Sequence, residues 1–356
     1  MAHLFIPGPT DVAPDILEAQ AQPMIGHRSQ AFSALFERIQ TRIRTVLQTD
    51  HRVFVTASSG SGLQEAAVRN CVAGRLLLCA SGAFGERWHS VALSNGLHTD
   101  LLATEWGQPL TPDQVAAAMA DGDYDTLALV HNETSTGVEN PVPAIINRAR
   151  DINPDLVVLI DAVSSAGGVD IPIDEWGIDV LLTSSQKCFA LPPGIAFAAV
   201  SDRALQRAEQ VEHRGWYFDF LLLEKYLLEK QSTPATPAIS LLFALDRQLD
   251  RILAEGLQAR FARHVSMAQR VRSWAEDRFG LYAAEGHRSK TVTTVRKPDG
   301  FDFPGLASFL DERGMVIANG YGKIREETFR IGHMGETTLD DVNNLLGTID
   351  DYLAGQ

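Results

Sequence analysis

Between residues 52 and 201 the chain switches hydrophobic period repeatedly, and that alternation restricts the fold more than any single motif does. Short apolar runs at 52–56, 75–80, 126–131, 156–161, 178–183 and 196–201 have strand length, while 62–72, 84–95 and 144–151 between them follow helical spacing. Runs that are apolar throughout belong to strands buried on both faces, so the expected fold is α/β, a mainly parallel sheet sandwiched by helices. Ahead of it, Phe32, Leu35, Phe36, Ile39, Ile43 and Val46 mark a long amphipathic helix over 30–48. Ligands of such sheets sit at the carboxyl ends of the strands. After the interruption at 231–237, helices over 238–254 and 258–279 lead to a different order: strand 292–295, helix 303–313, strands 316–318 and 329–331, helix 339–352. We therefore expect an N-terminal arm over 1–20, a large domain over 21–255 and a small α+β C-terminal domain over 256–356.

The composition narrows the functional classes. A net charge of −14 sets nucleic acid aside as the main partner, because a phosphate backbone must be met by a basic surface. The longest apolar runs, 156–160 and 195–200, fall well short of the roughly 18 residues that span a bilayer, so no membrane is expected. Nor is an export signal, since the opening residues break at once into Pro7-Gly8-Pro9-Thr10. Cys71, Cys79 and Cys188 have neither metal-ligand spacing nor the density of a disulfide scaffold, which reads as free thiols, a cytoplasmic protein and no metal.

Three segments carry chemistry. Ala57-Ser58-Ser59-Gly60-Ser61-Gly62-Leu63 joins a strand to a helix with small residues; alone it is either an anion site or a plain tight turn. Asp161 ends a run buried on both faces, where a carboxylate needs a partner such as a protonated ring nitrogen, or else caps the next element. Lys187, the first lysine in the chain, follows the apolar run 180–182 and precedes Pro192-Pro193-Gly194. A buried lysine loses its proton readily, and a neutral amine attacks carbonyls; the alternative is an ordinary lysine at a strand end. Taken together, a phosphate cradle, a pyridinium partner and a Schiff-base amine are what pyridoxal 5′-phosphate requires.

The chain resembles the class V aminotransferases of the alanine:glyoxylate and serine:glyoxylate group, fold-type I pyridoxal-phosphate enzymes, over nearly its whole length. The resemblance rests on Pro7-Gly8-Pro9-Thr10, Ser59-Gly60-Ser61-Gly62, the stretch His131-Asn132-Glu133-Thr134-Ser135-Thr136-Gly137-Val138, Asp161-Ala162-Val163-Ser164-Ser165, Ser185-Gln186-Lys187, and Phe329-Arg330-Ile331-Gly332-His333-Met334-Gly335. It implies that Lys187 holds the cofactor and moves the substrate α-proton, and that Asp161 keeps the pyridine nitrogen protonated. The amides of Ser61, Gly62 and Leu63, with Gln186, would bind the phosphate; Thr134 would face the ring oxygen and Phe84 the ring face. Thr233 would reach the phosphate of the neighbouring subunit, which implies a homodimer with shared active sites. Arg330 would anchor the substrate carboxylate, with Gly8 of the first matching stretch on the substrate side.

The same resemblance implies transfer of an amino group from alanine or serine to a 2-oxo acid such as glyoxylate or pyruvate, in a ping-pong reaction. His27 and Arg28, helped by Lys323 and Arg325, suggest a second reading: phosphoserine with 2-oxoglutarate, because cations there would meet a dianionic substrate. A catalytically inactive accessory subunit built on the same fold is the reading of another class. A cysteine desulfurase would want a cysteine in the C-terminal half, and all three precede residue 189.

Overall fold

The structure, a computed structural model, describes residues 2–355. Its main sheet has seven strands in the spatial order Arg52–Ala57, Ile195–Val200, Val180–Ser184, Val157–Asp161, Thr126–Val130, Arg75–Ala80 and His98–Ala103. Only Ile195–Val200 runs against its neighbours, pairing antiparallel with Arg52–Ala57 on one side and Val180–Ser184 on the other. The remaining pairs are parallel. Five central residues in a row from Val157 are buried, as a sheet covered on both faces requires. One hydrophobic cluster holds the helix Gln30–Leu47 against one face, and a second holds Gly60–Cys71 and its neighbours against the other.

The edge strand His98–Ala103 was not expected from the sequence. It reads His-Thr-Asp-Leu-Leu-Ala and is half exposed, so its polar side hides the apolar signal. The helices Pro112–Ala120, Asp202–Glu209 and Phe220–Lys230 likewise lie outside the expected elements.

A second sheet orders His3–Phe5, Met315–Asn319, Thr328–Gly332 and Val292–Arg296. Its face packs on the helices Leu257–Arg278 and Leu339–Ala354 through Trp274, Phe329, Ile331 and Leu345. The strand His3–Phe5 pairs parallel with Met315–Asn319, which ties the beginning of the described chain to the second sheet. From there residues 6–10 pass along the main sheet: the Thr10 amide donates to the Gln186 carbonyl at 3.2 Å.

Candidate active site

Five main-sheet strands turn their carboxyl ends toward one cavity of about 560 Å³. Arg52–Ala57 leads to Ser59, Gly60 and Ser61; Arg75–Ala80 to Phe84 and Arg87; Thr126–Val130 to Asn132 and Thr134; Val157–Asp161 to Asp161 itself; Val180–Ser184 to Gln186 and Lys187. This is the position the parallel topology assigns to a ligand.

The Lys187 amine donates to the Pro7 carbonyl, and its carbonyl accepts from the Thr10 hydroxyl at 3.2 Å. Gly8 has φ +113°, and a Cβ there would stand 2.6 Å from Lys187 Nζ. Glycine is thus required both by conformation and by the approach of the amine. Burial, and then the nearby Arg330 charge, lower the Lys187 pKa from 10.5 to about 8. Behind the lysine, Arg260 is 1% exposed and donates to the carbonyls of Cys188 at 2.6 Å and Gly167 at 2.8 Å. That clamp fixes the turn from which the amine projects.

Asp161 is 5% exposed. Its Oδ1 accepts from the Val163 amide at 2.8 Å and its Oδ2 from Gln64 Nε2 at 2.6 Å. Desolvation outweighs these two bonds and raises the carboxyl pKa to about 6. The group therefore invites a cation: a positive nitrogen placed beside it would recover the lost solvation.

At the start of the helix Gly60–Cys71, Ser59 accepts from the Gly62 amide at 3.4 Å, and the Leu63 amide is taken up by the Ser59 carbonyl at 3.2 Å. Among the described residues, the amides of Gly60 and Ser61 carry no such bond and lie at the cavity wall. Of the three amides expected from sequence, Ser61 is thus free, Gly62 and Leu63 are taken up by Ser59, and Gly60 stands free beside Ser61.

Phe84 follows Gly82 on the helix Ala83–Ser94, whose first turn is held by Glu133. This wholly buried carboxylate accepts from the amides of Phe84, Gly85 and Ser135, each at 3.1 Å, and from the Ser135 hydroxyl at 2.6 Å. Burial raises its pKa, and the four donors oppose that rise. The helix N-terminus favours the anion as well. Glu133 thus sets the angle at which Phe84 faces the cavity.

Thr134 is placed at the wall, but its hydroxyl is shared with Ser164 Oγ at 2.9 Å, while its carbonyl accepts from Arg330 Nη1 at 3.3 Å. Arg330 sits mid-strand, 8% exposed, with Nε donating to the Asn319 carbonyl at 3.1 Å and no carboxylate partner among the described residues. Desolvation lowers its pKa to about 10, so it remains a cation at neutral pH.

Three expected residues stand elsewhere. Arg28 donates to Ser232 Oγ and the Thr233 carbonyl, each at 2.6 Å, and to the Pro234 carbonyl at 2.9 Å. The His27 carbonyl accepts from Ser232 Oγ at 2.8 Å. His27, Arg28 and Thr233 form one cluster outside the Lys187 cavity of the same chain. Lys323 lies over the Trp106 ring at 4.4 Å and Arg325 points to Glu326 at 3.8 Å, so neither adds charge to the cavity.

Sequence reasoning missed Gln64, Arg87 and Tyr321 and gave Glu133 no role. Gln64 and Arg87 look like ordinary polar positions on helices, and only the fold shows which way they face. Glu133 did carry a signal: it stands between Asn132 and Thr134 directly after a buried strand.

The fold and this constellation define a fold-type I pyridoxal-phosphate transferase architecture. The chain belongs to the class-V aminotransferase family, whose model matches residues 15–345. It is similar to the soluble hydrogenase small subunit of Synechococcus sp., at 36% identity over 99% of this chain and 93% of that protein. It is also similar to the L-aspartate–glyoxylate aminotransferase of Paracoccus denitrificans, at 32% identity over 94% of this chain and 87% of the other. Among solved structures, the alanine–glyoxylate aminotransferase of Nostoc sp. superposes with a TM-score of 0.93 at 30% identity, covering 99% of this chain and 95% of that one.

Proposed function

We propose that the protein is a pyridoxal 5′-phosphate-dependent aminotransferase that moves the amino group of an α-amino acid to a 2-oxo acid such as glyoxylate or pyruvate. The observation that carries this reading is a desolvated amine on Lys187 and a buried carboxylate on Asp161 in one cavity, with Arg330, which has no carboxylate of its own, donating to the carbonyl of the wall residue Thr134. Pyridoxal phosphate fits the donor set: free Gly60 and Ser61 amides for the phosphate, Asp161 for a protonated ring nitrogen, Phe84 for the ring face and Lys187 for the aldehyde carbon. Bound there, it supplies an aldehyde for the amine exchange and an electron-accepting ring.

The chain's own residues do the rest. Gln186 and Ser61 line the phosphate end, with the Gly62 and Leu63 region of the helix behind them. Arg330 holds the α-carboxylate by paired hydrogen bonds, which orients the α-hydrogen toward Lys187. Lys187 would then take that proton on Nζ and give it back on the far side of the substrate nitrogen, and its depressed pKa lets it act in both directions near neutral pH. Donor and acceptor use the same groups in turn, hence ping-pong kinetics.

We further propose a homodimer in which Thr233 of a second copy completes the phosphate site. In support, Thr233 borders a shallow surface hollow with Trp216 and Tyr217, which are 61% and 43% exposed, and Arg28 braces its loop. No helix among the described residues is long and apolar enough to cross a membrane.

The similarity to a protein named as a hydrogenase subunit favours one rival, an accessory subunit without turnover. A half-reaction separates the two. Purified protein with bound cofactor should lose its visible absorbance when an amino acid donor is added and regain it with glyoxylate or pyruvate. A cofactor-loaded protein that no α-amino acid bleaches would overturn the aminotransferase reading.

Arg330→Ala should weaken every α-carboxylate donor and acceptor by about 2–4 kcal/mol in kcat/KM, the scale of a lost charge-assisted contact. A loss confined to one substrate would mean that Arg330 reads side chains instead.

A further inference from the structure

The wall of the cavity facing Lys187 carries a second guanidinium that the proposed amine exchange does not use. Arg87 lines the same cavity, lies over the Phe84 ring at 4.9 Å and donates from Nη2 to the Tyr321 hydroxyl at 2.7 Å. Tyr321 stacks on Phe84 with ring centroids 5.6 Å apart, and Arg330 Cζ lies 5.3 Å from the Tyr321 ring centroid. One tyrosine thus joins two arginines. Neither has a carboxylate partner among the described residues, although most arginines of this acidic chain do.

Arg87 has five N–H donors and gives one to Tyr321, so the remaining fork is free for a planar anion. The neighbouring Glu86 makes no ion pair with it; its Oε1 accepts from Trp106 Nε1 at 2.7 Å instead. Resting on Phe84 and tethered to Tyr321, the guanidinium is held in place before any ligand arrives, which reduces the ordering cost of binding.

We propose that Arg87 determines substrate choice: it binds the side-chain carboxylate of a dicarboxylic amino donor while Arg330 takes the α-carboxylate. The inference rests on the aminotransferase reading and narrows its donor class, in place of the neutral alanine or serine expected from the sequence. A carboxylate matches the single free guanidinium in charge and in planar geometry, whereas a phosphate dianion would leave one charge unmet. Arg28, Lys323 and Arg325, cations earlier considered for an anionic side chain, are engaged elsewhere, and His27 lies with Arg28 outside the Lys187 cavity of the same chain.

The test uses the cofactor-loaded enzyme and follows bleaching by aspartate, glutamate, phosphoserine and alanine in the wild type, Arg87→Met and Arg87→Lys. Wild type should favour aspartate or glutamate over alanine, and Arg87→Met should cut that preference by about 10–100-fold, the range of one hydrogen-bonded charge contact. Arg87→Lys should keep a larger share of it. A second readout avoids turnover altogether. Succinate, which has no amino group, should bind the loaded wild type more tightly than propionate by calorimetry, and Arg87→Met should abolish the difference. Equal losses for aspartate and alanine would show that Arg87 only positions Phe84, and a wild-type preference for phosphoserine or alanine would equally overturn the proposal. Bleaching by alanine without aspartate would leave the aminotransferase reading intact; bleaching by nothing would remove that reading itself.

Discussion

Lys187→Ala is expected to lower turnover by at least about 10⁴-fold, since in the proposed function the substitution removes both the nucleophile that would capture the cofactor and the base that would move the α-proton. The fold should survive. Lys187 offers the protein a single hydrogen bond, to the Pro7 carbonyl, and the turn beneath it is held by Arg260 and by Thr10. A thermal melt within a few degrees of the wild type, together with lost activity, is the expected pair of results; residual turnover above about one per cent would refute the role. The same amine sets a pH dependence. With a pKa of about 8 in place of 10.5, about one amine in ten is neutral at pH 7, against fewer than about one in a thousand for an ordinary lysine. Capture of added cofactor by cofactor-free protein should therefore speed up as pH rises and level off above about 8. A rate still climbing steeply at pH 10 would show that the amine is not desolvated in solution.

Asp161→Asn should cost about three orders of magnitude in turnover, the upper range for removing one preorganised charge contact from a buried site. The replacement is nearly isosteric, and the structure can repair the hydrogen bonds. Gln64 Oε1 is buried without a partner, so turning that amide would let Oε1 accept from the new asparagine nitrogen while Oδ1 keeps the Val163 amide. Stability should move the other way from activity. The Asp161 pKa is raised from 3.8 to about 6 in the folded state, so its contribution to stability is greatest below 3.8 and is lost as pH rises through 6. That loss amounts to about 3 kcal/mol at most. Cofactor-free Asp161→Asn should accordingly melt higher than cofactor-free wild type at pH 8, with the gap closing toward pH 4. A variant less stable at every pH would mean that the carboxylate is paired in the cofactor-free protein after all.

Much of this architecture was legible in advance, and for physical reasons. Strands buried on both faces must be apolar throughout, so the runs around Leu159, Leu181 and Phe197 announced themselves, and Asp161 and Lys187 stood out against them. Elements that touch solvent were harder to read. The edge strand His98–Ala103 mixes polar and apolar residues, and nothing local shows that His3–Phe5 pairs with a strand near residue 315. The same division runs through the site. Residues delivered by strand ends were readable from position, whereas Arg87 and Tyr321 matter because two distant loops meet, and that meeting is a property of the fold alone. Which of the Ser61–Leu63 amides stay free could not be read from the sequence, because helix capping decides it: Ser59 takes up Gly62 and Leu63 and leaves Ser61.

The pairing of His3–Phe5 with Met315–Asn319 also bears on how the protein is made. Pro7 and Gly8, which enclose the Lys187 amine, are made more than three hundred residues before the strand that anchors them. A nascent chain can build the main sheet and present its lysine while that wall is still unfastened, so the reactive amine gains its dry surroundings only once residues 315–319 have been made.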